Sequence, residues 1–148
     1  MINLTDIAGP PMGRLHIEAF RDGQLFDVLD EKNLIVDVSK TIHSRLLGGA
    51  TTGKIITKIG FGTNGTAPSA GNTSLTGPYI KLLDSVSYPT SNQVQFNFSL
   101  GSSENNGVGI LEFGLISGDG SLYARRVRAG ALSKESDISL TGYWTITF

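Results

Sequence analysis

Apolar and polar residues alternate along most of this chain with the two-residue period of a β-strand. The cleanest run is Gln93–Leu100, where Val94, Phe96, Phe98 and Leu100 share one face and amides and a hydroxyl take the other. Arg14–Phe20 alternates too, and Asp22-Gly23 after it is strong hairpin chemistry, so Leu25–Leu29 is expected to return beside it. Asp30–Asn33 then reads as a connection. Lys54–Phe61 and Tyr79–Tyr88 are further strand candidates, and turn residues follow the second at Pro89–Asn92. Gly109–Ile116 and Ser121–Arg128 read as a hairpin across Gly118-Asp119-Gly120. Ile138–Phe148 closes the chain, with Ile138 and Leu140 and then Trp144, Ile146 and Phe148 on one face, shifted by an expected bulge near Gly142.

One stretch has the helical period. Val38, Ile42 and Leu46 form a single stripe within 36–47. Asp37 or Ser39 can cap its start, Arg45 suits its last turn, and Gly48-Gly49 supplies the stop. Residues 62–76 and 101–107 are polar loops, and the first is long enough to imply a function or an ordering partner. Residues 1–13, with Gly9, Pro10, Pro11 and Gly13, read as an extended N-terminal arm ahead of one β-rich domain over 14–148. About seven or eight strands joined by short connections imply antiparallel pairing, hence a mainly β fold: an antiparallel β-sandwich or flattened barrel with one short α-helix.

Composition sharpens this picture. The 148 residues are 39% hydrophobic and 17% charged, enough for one core, and the 19 glycines suit many turns. A net charge of -1 offers no basic face for nucleic acid. The one basic cluster is Arg125, Arg126 and Arg128; in a strand Arg126 and Arg128 share a face, which marks them with Pro10 and Pro11 as candidate partner contacts. With no cysteine, neither disulfides nor thiolate metal sites are expected. No apolar run reaches the length of a membrane helix, and residues 1–13 lack the pattern of a signal peptide, so no membrane contact and synthesis in the cytoplasm are expected.

Catalytic and cofactor chemistry finds no constellation. His16 and His43 lie far apart with no completing ligands, so no metal or other cofactor is expected. There is no Gly-X-Ser-X-Gly elbow, and His43 and Ser44 are adjacent helical residues that diverge, which leaves His43 on the helix surface. Asp30-Glu31 reads as a solvated turn. Gly60-Phe61-Gly62-Thr63-Asn64-Gly65 spells a dinucleotide string, but no helix follows it. Glu112, between apolar neighbours, is placed to pair with Arg125 or Arg126 across the hairpin and fix its register. A glycan hydrolase would need two carboxylates facing one cleft, and Glu18, Asp84 and Glu112 carry no pairing signal.

Several segments taken together resemble structural proteins of bacteriophage particles. They are Ile59–Pro68 running into Ala70–Leu75, then Gly109–Ile116, Leu122–Arg126, Leu140–Phe148, and Asn33–Val36 leading to Leu46–Gly49. The resemblance spans most of 14–148. It implies a virion component without catalytic residues, among small tail, collar and tail-fibre proteins and head decoration proteins. A compact domain with an arm and polar loops fits a capsid decoration (cement) protein, expected as a homotrimer on the major capsid protein; the alternative is a collar, baseplate or fibre-attachment component of the tail.

Overall fold

A computed structural model describes residues 9–148. Nine antiparallel strands form one sheet: β1 Met12–Arg21, β2 Gln24–Ile35, β3 Ile56–Gly62, β4 Tyr79–Leu82, β5 Ser85–Ser87, β6 Gln93–Leu100, β7 Val108–Ser117, β8 Leu122–Lys134 and β9 Ile138–Thr147. A single helix, α1 Val38–Leu47, follows β2. The sheet order is β4-β3-β7-β8-β2-β1-β9-β6-β5.

That order forces the sheet to curl. β4 and β5 sit at its opposite edges, yet only Leu83 and Asp84 separate them. Two intervening residues span at most about 11 Å between flanking Cα atoms, whereas the edges of a flat nine-stranded sheet would lie about 38 Å apart. The chain bridges the edges directly: Leu83 donates its N–H to Thr57 O at 2.9 Å and Asp84 donates to Asn97 O at 2.8 Å. The Tyr79–Tyr88 run expected as one strand is therefore split between two partners. Of the two expected architectures, the barrel is the one adopted, as a curled half-barrel rather than two stacked sheets.

The concave side holds the main core. Leu15 and Ile17 of β1, Phe61, Phe98, Phe113 and Trp144 meet there, and Ile42 of α1 packs into the same cluster. Trp144 is fully buried and donates its indole N–H to Asn33 Oδ1 at 2.7 Å. The alternation read in β6 holds, with Phe96, Phe98 and Leu100 buried. The Asp22-Gly23 turn also forms as expected, with φ of 49° and 78° and Arg21 opposite Gln24.

Four local expectations change. Asp30–Asn33 is strand rather than connection, because Asp30, Glu31, Lys32 and Asn33 stay in register with His16, Leu15, Arg14 and Gly13. For the same reason the domain starts inside the expected arm: Met12 and Gly13 already pair with β9. Residues 1–8 of that arm lie outside the described residues. β9 carries no bulge, since it pairs with β1 and β6 without a register shift; Gly142 sits in phase, where the Phe98 ring and His16 O leave no room for a Cβ. Register shifts fall elsewhere, the largest in β8, where the pairing jumps from Ile110↔Leu132 to Glu112↔Val127. Neither expected side chain caps α1: Asp37 occupies the N-cap position without a capping hydrogen bond, and Ser39 is buried in the first turn.

Candidate functional site

Strand β7 is buried on both faces, which an exposed sheet would not require. Phe113 and Leu115 face the concave core, while Glu112, Gly114 and Ile116 lie beneath the long loop between β3 and β4. Leu75 from that loop joins Val36, Ile116 and Leu122 in a second cluster. Gly60 and Gly114 face each other in the β3–β7 ladder, and a Cβ on either would lie 2.7 and 2.9 Å from Leu75 Cδ1. A Cβ on Gly62 would meet the Glu112 side chain at 2.8 Å. The glycines of the apparent dinucleotide string thus cut a notch for Leu75 and Glu112. A glycine string judged by nucleotide motifs alone hides this packing role.

Glu112 and Arg125 form the centre of this arrangement; of the two partners the sequence offers Glu112, Arg125 is the one it meets, while Arg126 pairs with Glu31. Their side chains are 0% and 1% exposed, and Arg125 Nε donates to Glu112 Oε1 at 3.1 Å. The other carboxylate oxygen accepts from the N–H groups of Asn64 at 2.7 Å and Thr76 at 3.3 Å. The remaining guanidinium nitrogens donate to Asn72 Oδ1, Asn64 O and Thr66 O, each at 3.0 Å. A buried ion pair is tolerable only when its remaining lone pairs and protons are satisfied. Here the loop supplies those partners, so the pair fixes the loop as much as the loop covers the pair.

The four candidate partner contacts fall in two places. Pro10 and Pro11 form one wall of a groove of about 320 Å³ whose other walls are Leu34–Val36, Lys40 and His43. Arg126 and Arg128 lie at the thin seam where β2 and β8 pair only at Leu34↔Arg125 and Ile35↔Ala124. Both are engaged within the chain. Arg128 pairs with Asp27 at 2.9 Å; Arg126 pairs with Glu31 and donates to Lys32 O at 3.1 Å. Lys32 also lines the groove, so the seam and the groove adjoin at that residue.

His43 is not a surface residue as expected. It is half-buried, lies 2.7 Å from the Tyr123 hydroxyl through Nε2, and packs against the rings of Tyr123 and Phe148. Burial pushes its pKa down and that of Tyr123 up, so a neutral imidazole and a neutral phenol share this hydrogen bond. Because the folded pKa lies below the unfolded one, the unfolded chain binds more protons as pH falls through the unfolded value of about 6.5. Stability should therefore decline as pH falls through about 6.5, and His43→Gln, which keeps an acceptor but does not titrate, should flatten that decline in urea midpoints. An unchanged slope would show that other groups carry the pH dependence.

Two further polar knots have no sequence signal beyond isolated charges. Lys134 is fully buried and places its ammonium against Asn106 Oδ1 at 2.7 Å, Glu135 O at 3.1 Å and Ser102 O at 3.4 Å. Glu104 accepts from Lys81 and from the Tyr79 hydroxyl at 2.8 Å each, and the Lys81 ammonium is the main reason its pKa falls to about 2. Both tie the loop after β6 to neighbouring strands.

No family model, curated protein or solved structure matches the chain. Among the described residues no group of three or more His, Cys, Asp or Glu side chains is placed to hold a metal ion, and no helix is long and apolar enough to cross a membrane. Of the three carboxylates considered for hydrolysis, Glu112 is sealed against Arg125, while Glu18 and Asp84 line one shallow groove on the outer face of the sheet.

Proposed function

We propose that this chain is a non-catalytic structural subunit of a bacteriophage particle, a decoration protein that binds the assembled head and associates with itself as a trimer. The observation that carries the reading is the apolar end of the half-barrel beside α1. Leu47 is 92% and Phe148 60% exposed, Met12 is exposed too, and Pro10 and Pro11 wall the adjoining groove. Large exposed apolar side chains suit attachment to a larger body better than a free domain in water. The phage-like segments from Ile59 to Phe148 supply the kind of body, and a subunit that binds only the assembled shell stabilises it by mass action.

Antibody labelling of intact particles, read by electron microscopy, tests this. Label in many copies over the head is the expected result. Label confined to the neck or tail would replace it with the collar, baseplate or fibre-attachment role, and unlabelled particles that also lack the chain by mass spectrometry would end the virion reading. Removing residues 1–9, which leaves β1 whole, should keep the domain folded by circular dichroism and reduce the copies retained on particles. Full retention would show that residues 1–9 are not an attachment element.

A further inference from the structure

A solvated face is normal for an antiparallel sheet, and such faces are polar. The outer face of β9 and β6 is unusual in being polar without being charged. Every outward position from Gln93 to Ser99 and from Ser139 to Thr147 carries an amide, a hydroxyl or the Tyr143 ring. These groups are held in place by one another. Gln93 Nε2 donates to Thr147 Oγ1 at 3.1 Å, Gln95 Nε2 to Asn97 Oδ1 at 2.9 Å, and Asn97 Nδ2 to Ser85 Oγ at 3.1 Å.

At one end the face dips into a groove of about 310 Å³, lined by His16, Glu18, Asp84, Asn97, Ser99 and Tyr143 among others. Its size lies at the small end of ligand sites. The rings of His16 and Tyr143 stack at 4.8 Å and 18°, and Tyr143 remains 37% exposed. Glu18 reaches His16 Nε2 at 3.4 Å. Asp84 is exposed at the crossing from β4 to β5, its position fixed by its backbone bond to Asn97 O.

We infer that this groove binds a neutral glycan. Hydroxyl-rich rings need partners that both donate and accept, which amides and hydroxyls do, and carboxylates accept strongly from sugar hydroxyls. The exposed part of the Tyr143 ring gives the apolar C–H face of a sugar a surface to rest on. Two carboxylates with no Lys or Arg in the lining disfavour acidic sugars. Asn97, the amide in the lining, is pre-set by Gln95 and Ser85, which lowers the ordering cost, so a shallow site can still reach about millimolar affinity. This inference does not depend on the chain being a virion subunit.

The test is a set of NMR titrations of the full chain with neutral hexasaccharides of glucose, mannose and N-acetylglucosamine, and with a galacturonic acid hexamer. Shifts at Tyr143, Asn97 and Ser99 with at least one neutral sugar, and none with the acidic one, are expected. Tyr143→Ala and Asp84→Asn, both on the outer face, should each weaken that binding about tenfold while leaving the spectrum folded. No shift with any neutral sugar at about 10 mM, well above the expected affinity, overturns the proposal, as does binding that both variants retain. Shortening of a hexasaccharide during the titration would replace binding with hydrolysis.

Discussion

Arg125→Met is expected to cost about 3–5 kcal/mol, because it strands the fully buried Glu112 carboxylate without its counter-charge. Replacing both members of such a pair by apolar residues is often neutral, but here the outcome should differ. The N–H groups of Asn64 and Thr76 and the carbonyls of Asn64 and Thr66 all bond to this pair. Each loses a partner worth about 0.5–1.5 kcal/mol, so Arg125→Met with Glu112→Leu should remain about 2 kcal/mol below the parent. Urea unfolding gives both numbers, and limited proteolysis should find the loop between β3 and β4 newly cut. A double variant as stable as the parent, with an uncut loop, would mean that Leu75 and the glycine notch hold the loop alone.

The second large effect is expected at Trp144. It is fully buried, and Trp144→Ala should cost about 3–5 kcal/mol through the cavity it leaves. Trp144→Phe separates bulk from bonding. It keeps most of the ring but removes the indole donor to Asn33 Oδ1, and Asn33 Nδ2 already lacks a partner among the described residues. A loss of about 1–2 kcal/mol for the Phe variant fits an unsatisfied buried acceptor. If the Phe and Ala variants were equally damaging by chemical denaturation, the hydrogen bond rather than packing would dominate.

What the sequence made legible depended on how local the cause is. The β6 alternation, the Asp22-Gly23 turn and the α1 stripe are set by neighbours a few residues away, and they form as read. A pairing of Glu112 with Arg125 or Arg126 is legible because all three lie in one hairpin, but the choice of Arg125 depends on the β8 register and the covering loop. Asp30–Asn33 misleads because its charges look like a turn, whereas Glu31 and Asn33 are matched by distant partners in Arg126 and Trp144. The division of Tyr79–Tyr88 between two sheet edges, and the role of Gly60 and Gly62, depend on strands far along the chain. No periodicity within a short window encodes either. His43 was misplaced for the same reason, since its partner Tyr123 arrives from β8.

The crossing from β4 to β5 also bears on the order in which the molecule assembles. The run from Tyr79 to Ser87 can settle only once β3 and β6 both exist, and those strands reach the final sheet through different neighbours, β7 for one and β9 for the other. Contacts that must wait for two separately built halves are entropically costly to make early. The segment is therefore expected to behave as a keystone: set in place late in folding, and, by joining the two ends of the sheet, making opening of either half a loss for both.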